Sequence, residues 1–192
     1  EEIARLAAAL DGVEDTRAAN IIRMCMLTGA RVGEVRQARF EDFNLEHRSW
    51  SKPATTTKQR RVHRVPISDE AAVIVRQRRQ AVYPGCPWLF PGDIPGHPVQ
   101  EVRRFWKRIQ READIEDVRI HDLRHTFASL LVSGGASLEM IGKLLGHSQM
   151  QTTQRYAHLV DSPLRAGVDA VFGAGQSVVS WRAVDKPRIQ VI

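Results

Sequence analysis

A mainly helical domain with one small antiparallel β-sheet, an α+β class, is predicted by three observations. Apolar residues recur at three- and four-residue spacing along most of the chain, with Ser, Thr and Asp where the runs begin and Gly where they stop. That texture breaks once, between Phe40 and Pro66, where short strand-like runs flank a polar turn. The chain has 192 residues, 43% of them hydrophobic, which suffices to bury a core without disulfide or metal staples.

Each element follows from local signals. Glu1 to Leu10 reads as a helix with Ile3, Leu6, Ala7 and Leu10 on one face, broken by Asp11-Gly12. Thr16 is expected to cap a second helix carrying Ile21, Ile22, Cys25 and Met26, which Gly29 ends. A short helix is expected over Glu34 to Ala38. Trp50 to Ala54 and Val62 to Ile67 read as strands, with Thr55 to Arg61 turning between them. Within that turn Arg60 and Arg61 suit a solvated loop and a phosphate contact equally.

Ser68, followed by Asp69 and Glu70, starts a helix to about Val82, because acidic side chains suit the positive end of a helix. A Pro- and Gly-rich loop from Pro84 to Pro98 encloses Trp88-Leu89-Phe90. Val99 to Ala113 is expected to be helical, burying Val102, Phe105, Trp106 and Ile109. Trp106 reads as core, and Tyr83, beside Pro84-Gly85, as loop packing. Ile120 to Val132 forms a helix ending at Gly134-Gly135. Ser137 caps Leu138 to Leu145, and Gly146 stops it. Ser148 is expected to cap a helix carrying Tyr156, with a further helix after Pro163. Past Gly173 the composition thins, and Val178-Val179 and Ile189 to Ile192 read as strands in need of a pairing edge.

The formal charge is +6 and the pI near 9.9, an excess carried mostly by arginine. Guanidinium groups grip phosphate bidentately, so the balance favours a polyanionic partner. Cys25 and Cys86 lie in no metal-ligand spacing and read as reduced cytosolic thiols. No apolar run approaches the ~20 residues of a membrane span, and no signal peptide is visible. The start at Glu1 rather than Met reads as a domain cut from a longer protein.

Four segments carry chemistry: Thr28 to Val35 (TGARVGEV), His121 to His125 (HDLRH), Leu144 to Ser148 (LLGHS) and Gln154 to His158 (QRYAH). His121 and Arg124, three apart, point a titratable imidazole and a cation into one space. Arg31 follows a glycine break at the start of a helical run, where anions bind well, and Glu34 stands one turn on. Taken singly, each is matched by a plain surface or packing role.

Taken together and in order, these stretches resemble the tyrosine recombinase family, which includes phage integrases and the enzymes that resolve chromosome dimers. The resemblance runs from Thr28 to Leu159. It implies that family's DNA breaking-rejoining fold for residues 1–172, with Gly173 to Ile192 as a tail docking on a neighbouring subunit. It also implies a separate N-terminal DNA-binding domain, absent here. Arg31, His121, Arg124, His147 and Tyr156 match the family's catalytic positions. For its hairpin lysine, Lys58 in the turn is the expected match, with Lys52 in the first strand as the rival.

The implied reaction is transesterification. Tyr156 attacks a DNA phosphate to give a 3′-phosphotyrosine and a free 5′ hydroxyl. Arg31 and Arg124 hold the non-bridging oxygens, His147 donates to them, His121 takes the phenol proton, and Lys58 protonates the leaving oxygen. No cofactor, metal or ATP is expected. The expected partners are double-stranded DNA bearing a specific site, three further copies in a tetramer on that DNA, and accessory DNA-bending proteins. No membrane is involved, and the location is cytoplasmic, in a phage-encoded or nucleoid-associated enzyme. Two rival readings remain at this point: a helix-turn-helix-like binding module over Ser137 to Tyr156 without catalysis, and a type IB topoisomerase. A basic helical domain with no DNA role is a third.

Overall fold

The computed structural model describes residues 2–57, 60–147 and 151–157. Lys58, Ser148 and everything beyond Ala157, including the expected helix after Pro163 and the strands of the tail, lie outside the described residues.

Helix α1 (Glu2–Asp11) buries Leu6 and Leu10. Helix α2 (Thr16–Thr28) is capped by the Asp15 carboxylate, which accepts from the Ala18 amide, so Thr16 is its first residue rather than its cap. It ends where Gly29 takes a left-handed conformation (φ 61°) and its N–H closes onto the Cys25 carbonyl. Helix α3 (Val32–Arg36) starts and ends two residues before the expected span.

Three strands follow, β1 (Phe43–Asn44), β2 (Ser49–Lys52) and β3 (His63–Pro66), antiparallel in the order β1-β2-β3. The two expected strands are present, and β1 is an addition. At two residues it is too short to show alternation, and a turn over residues 45–48 folds it back so that Phe43 faces Trp50, with the rings stacked 5.2 Å apart.

Helix α4 (Asp69–Ala81) is capped by Ser68, whose hydroxyl accepts from the Ala71 amide. Helix α5 (Arg103–Glu112) begins four residues later than the periodicity suggests. Val99 donates its N–H to the Phe90 carbonyl, and Pro91 bridges Pro98, which holds this stretch extended. Trp106 is core as expected, with its indole N–H on the Val118 carbonyl. Helix α6 (Asp122–Ser133) and helix α7 (Leu138–Leu145) follow. The Ser137 hydroxyl caps α7, and Gly146 ends it at φ 65°. Helix α8 (Gln151–Gln154) stops before Tyr156, which therefore sits in the turn after the helix and not within it.

The main core packs α2 at its centre, with Ile21, Ile22 and Met24 fully buried alongside Trp50, Val75, Phe90 and Ile109. A second, smaller core joins Ala128 and Val132 of α6 to Ile141 and Leu145 of α7 and to Tyr156. The site lies where these two cores meet.

Candidate active site

The first corner is built by the α2–α3 turn. Gly29 lets the chain double back, and Arg31 enters α3 as its extended N-cap residue (φ −69°, ψ 143°). Glu34, in the first turn of α3, reaches back. Its Oε2 accepts from the Arg31 backbone N–H at 3.2 Å, and its Oε1 accepts from the Arg31 guanidinium at 2.9 Å. Lys52, at the end of β2, donates to the same carboxylate at 3.1 Å. Lys52 and Glu34 are almost wholly inaccessible, at 1% and 4% exposure.

One carboxylate thus sits between two cations and leaves an excess positive charge. Burial alone would raise the Glu34 carboxyl, but the charge and hydrogen bond of Lys52, joined by those of Arg31, hold it below the usual range. Burial lowers the Lys52 ammonium, with Glu34 opposing that fall and Arg124 and Arg31 adding to it.

Arg124 forms the second corner. Its Nη1 donates to the Gly29 carbonyl at 2.8 Å and its Nη2 to the Leu145 carbonyl at 2.7 Å, so one guanidinium ties the ends of α2 and α7 together. Burial and the neighbouring Arg31 bring it down to about 10, and it remains cationic at neutral pH. These two bonds use two of its five N–H groups.

His147 follows Gly146 and accepts or donates at Nδ1 to the Thr153 hydroxyl, 2.8 Å away on α8. Burial first, then Arg124, Arg31, Arg155 and His125, push its imidazole down to about 4. His63 on β3 contacts the α7 end through Nε2 and the Lys143 carbonyl at 2.7 Å, and its ring lies against Gly146. Arg31, Glu34, Arg61, His63 and Leu145, with Thr57, Val62 and Gly146, enclose a polar cavity of about 130 Å³, the scale of a phosphate group.

Tyr156 lies against α6. It is 5% exposed, packed in the second core, and its Oη lies 2.6 Å from Nδ1 of His125. His121 stands one turn earlier, at the exposed start of α6, and meets the His125 ring edge-on with centroids 5.3 Å apart. The side chain on the phenol is therefore His125. Burial raises the Tyr156 phenol, while Arg155 and Arg124 pull the other way.

Of the expected residues, Arg31 and Arg124 lie close enough to His121 and His147 to help push both imidazoles down, and Arg124 is close enough to act on the Tyr156 phenol. Lys58 lies outside the described residues, and the lysine found in this cluster is Lys52. Two further members, His63 and His125, were not singled out from the sequence. His125 sits four residues after His121 on the same helix face, a spacing that could have signalled it. A larger open groove of about 780 Å³ runs along α5, with Arg36, Arg103, Lys107 and Arg119 as well as Glu101 and Asp117 on its walls. Among the described residues no helix is long and apolar enough to cross a membrane.

Comparison with known proteins gives a consistent set of relatives. A family model described as "Phage integrase family" matches residues 1–162. The integrase of Escherichia phage P2 is 33% identical over 180 residues, covering 88% of this chain and 48% of the relative. The tyrosine recombinase XerD of Pasteurella multocida (strain Pm70) is 32% identical over 157 residues, 76% of this chain and 51% of the relative. The chain therefore spans about half the length of these two relatives. Among solved structures, the catalytic domain of bacteriophage HP1 integrase superposes with a TM-score of 0.65 at 26% identity, covering 90% of this chain and 95% of that one. The XerH site-specific recombinase, solved bound to its palindromic difH substrate, shares the fold with a TM-score of 0.69 at 22% identity, over 88% of this chain and 51% of that one.

Proposed function

The chain belongs to the phage integrase family, and we propose that it cleaves and rejoins double-stranded DNA at a specific site through a 3′-phosphotyrosine at Tyr156. The observation that carries this reading is the clustering of cations and imidazoles from separate parts of the chain around the Arg31–Glu34–Lys52 group and Arg124, with the Tyr156 phenol held by His125 of α6 and a polar cavity of phosphate scale lined by Arg31, Arg61 and His63.

Phosphodiester attack builds charge on the non-bridging oxygens, and cations already in place lower that barrier most. Arg31 and Arg124 meet those oxygens. His147 adds a donor. With the Thr153 hydroxyl donating to Nδ1, the neutral ring carries its proton on Nε2, directed away from that contact. His121, on the exposed side of the pair, hydrogen-bonds the same phosphate. The leaving 5′ oxygen takes its proton from a lysine. Lys52 fits that role better than Lys58, because it is fixed within the cluster and its ammonium is held below the ordinary lysine value, which makes it the readier acid.

The substrate is duplex DNA, engaged by the basic groove along α5 and clamped further by a domain N-terminal to this one. Exchange of strands calls for four copies on two duplexes, aided by DNA-bending proteins. Residues 1–172 form the catalytic unit, and residues 173–192 dock on a neighbour. A cytoplasmic location follows from such a substrate.

The test is covalent capture. A pool of duplexes with a nick and randomised flanking sequence is incubated with the chain, and adducts are resolved on a denaturing gel. Adducts with the native chain and none with Tyr156→Phe are expected. Lys52→Ala should slow capture about 10²–10⁴-fold and recover when the leaving oxygen is replaced by sulfur, a leaving group that needs no proton. Binding without any adduct would instead favour a DNA-binding module, and relaxation of plasmid supercoils without site preference a topoisomerase.

A further inference from the structure

We propose that His125, and not His121, is the catalytic base that removes the Tyr156 proton during attack and returns it on rejoining. This deepens the recombinase reading and rests on it.

The geometry is direct. Nδ1 of His125 lies 2.6 Å from the phenol oxygen, a short hydrogen bond to the atom that would attack phosphorus. Tyr156 is packed against Ala128, Val132, Ile141 and Leu145, so its ring is held in place and its proton has a protein acceptor at hand. The His125 ring also packs on His121 in an edge-on contact, centroids 5.3 Å apart. The hydrogen-bond partner found on the phenol is His125 and not His121.

The surrounding charges favour the neutral, accepting form of the imidazole. Burial disfavours the charged ring, and Arg155 beside Tyr156, Arg124 on the same helix turn and Arg119 at the helix start all repel a proton there. Asp122 opposes them without reversing the sense. His121 and His147 face the same group and are themselves held below the ordinary histidine value. The phenol is meanwhile raised by burial. A protonated phenol and a neutral imidazole therefore wait in contact, with the O–H donating to Nδ1 and the ring proton on Nε2.

The step balances within the chain and its substrate. As the Tyr156 oxygen bonds to phosphorus, its proton passes to Nδ1 and His125 becomes imidazolium. The bond from phosphorus to the 5′ oxygen breaks, and that oxygen takes a proton from Lys52. Rejoining runs the same transfers backwards: the incoming 5′ hydroxyl gives its proton to Lys52, and His125 returns its own to the phenolate. The imidazolium formed in mid-reaction lies among arginines, which hastens that return.

The experiment uses the nicked randomised pool above, in single turnover, with native chain, Tyr156→Phe, His121→Gln and His125→Gln, on leaving groups of oxygen and of sulfur. His125→Gln should capture DNA about 10²–10⁴-fold more slowly, retain DNA on a filter within twofold of native, and lose the acid limb of the pH–rate profile. The sulfur leaving group should not restore it, because the defect lies on the nucleophile side. Near-native capture by His125→Gln, rescue by sulfur, or loss of the acid limb in His121→Gln alone would overturn the proposal. A second measurement needs no variant: ¹⁵N spectra of the native chain should show His125 with Nδ1 unprotonated and Nε2 protonated, and the opposite tautomer would overturn it. Tyr156-dependent adducts from the native chain with unaffected His125→Gln remove only the role of His125. No adduct from the native chain removes the recombinase reading and this step with it.

Discussion

Replacing Glu34 by Gln should cost this protein about 3–5 kcal/mol, because it strands a buried ammonium. Lys52 is 1% exposed, and its ion pair is the Glu34 carboxylate 3.1 Å away. At an effective dielectric near 20, two unit charges at that separation attract by about 5 kcal/mol, which offsets the several kcal/mol needed to take each from water. Glutamine keeps an oxygen for one hydrogen bond and loses the charge, so the lower end of the range, about 3 kcal/mol, is expected. For a domain of this size that lowers the melting temperature by about 10 °C. The Arg31 side chain loses its 2.9 Å partner in the same change.

The assay is urea denaturation at pH 7, fitted with a common slope, run as a double-mutant cycle with Lys52→Met. The two single variants should each be destabilised and the double variant should recover most of the loss, since an apolar pair can replace a buried ion pair at little cost. A loss below about 1 kcal/mol in Glu34→Gln, or strict additivity in the cycle, would show that the carboxylate does not carry the ammonium and would refute the argument. Lys52 should also lose its proton at lower pH in Glu34→Gln, because the group that opposes its depression is gone.

Two further predictions concern the same joint. His147 ordinarily titrates at 6.5 and is held down to about 4 here, so the unfolded chain binds that proton first. Stability should fall as pH drops from 6.5 towards 4 and flatten below, and His147→Phe should show a shallower fall in denaturation midpoint over that window. Equal slopes would contradict the assignment. Gly29→Ala should destabilise by about 2–4 kcal/mol, since alanine is strained at φ 61° and its Cβ would overlap the Phe127 ring and crowd Leu145 at 2.9 Å. A melting curve within 2 °C of native would contradict that.

Much of the fold was legible because helix ends carry their own chemistry. Ser68 and Ser137 cap, Gly29 and Gly146 stop, and each does so where the sequence places it. What escaped was set by partners far along the chain. Val99 continues an apolar period, but an extended pairing with the Phe90 segment outweighs it. β1 exists through the stacking of Phe43 on Trp50. In the site, arginine and histidine spacing located the charged corners, whereas the identity of the lysine depended on burial. Lys52 is stable inside the protein because of a carboxylate 18 residues earlier, a fact that no local pattern around Lys52 encodes. Likewise the partner of the phenol is chosen by how the turn after α8 lies against α6, across 31 residues.

The pair of hydrogen bonds from Arg124 to main-chain oxygens links the site to the completion of folding. Those oxygens belong to residues 95 and 21 positions away, one far upstream and one downstream. The guanidinium is aimed only once both ends have arrived, so a ribosome-bound or partly unfolded copy lacks the aligned charge cluster. Whatever chemistry the cluster performs, its assembly coincides with completion of the native state.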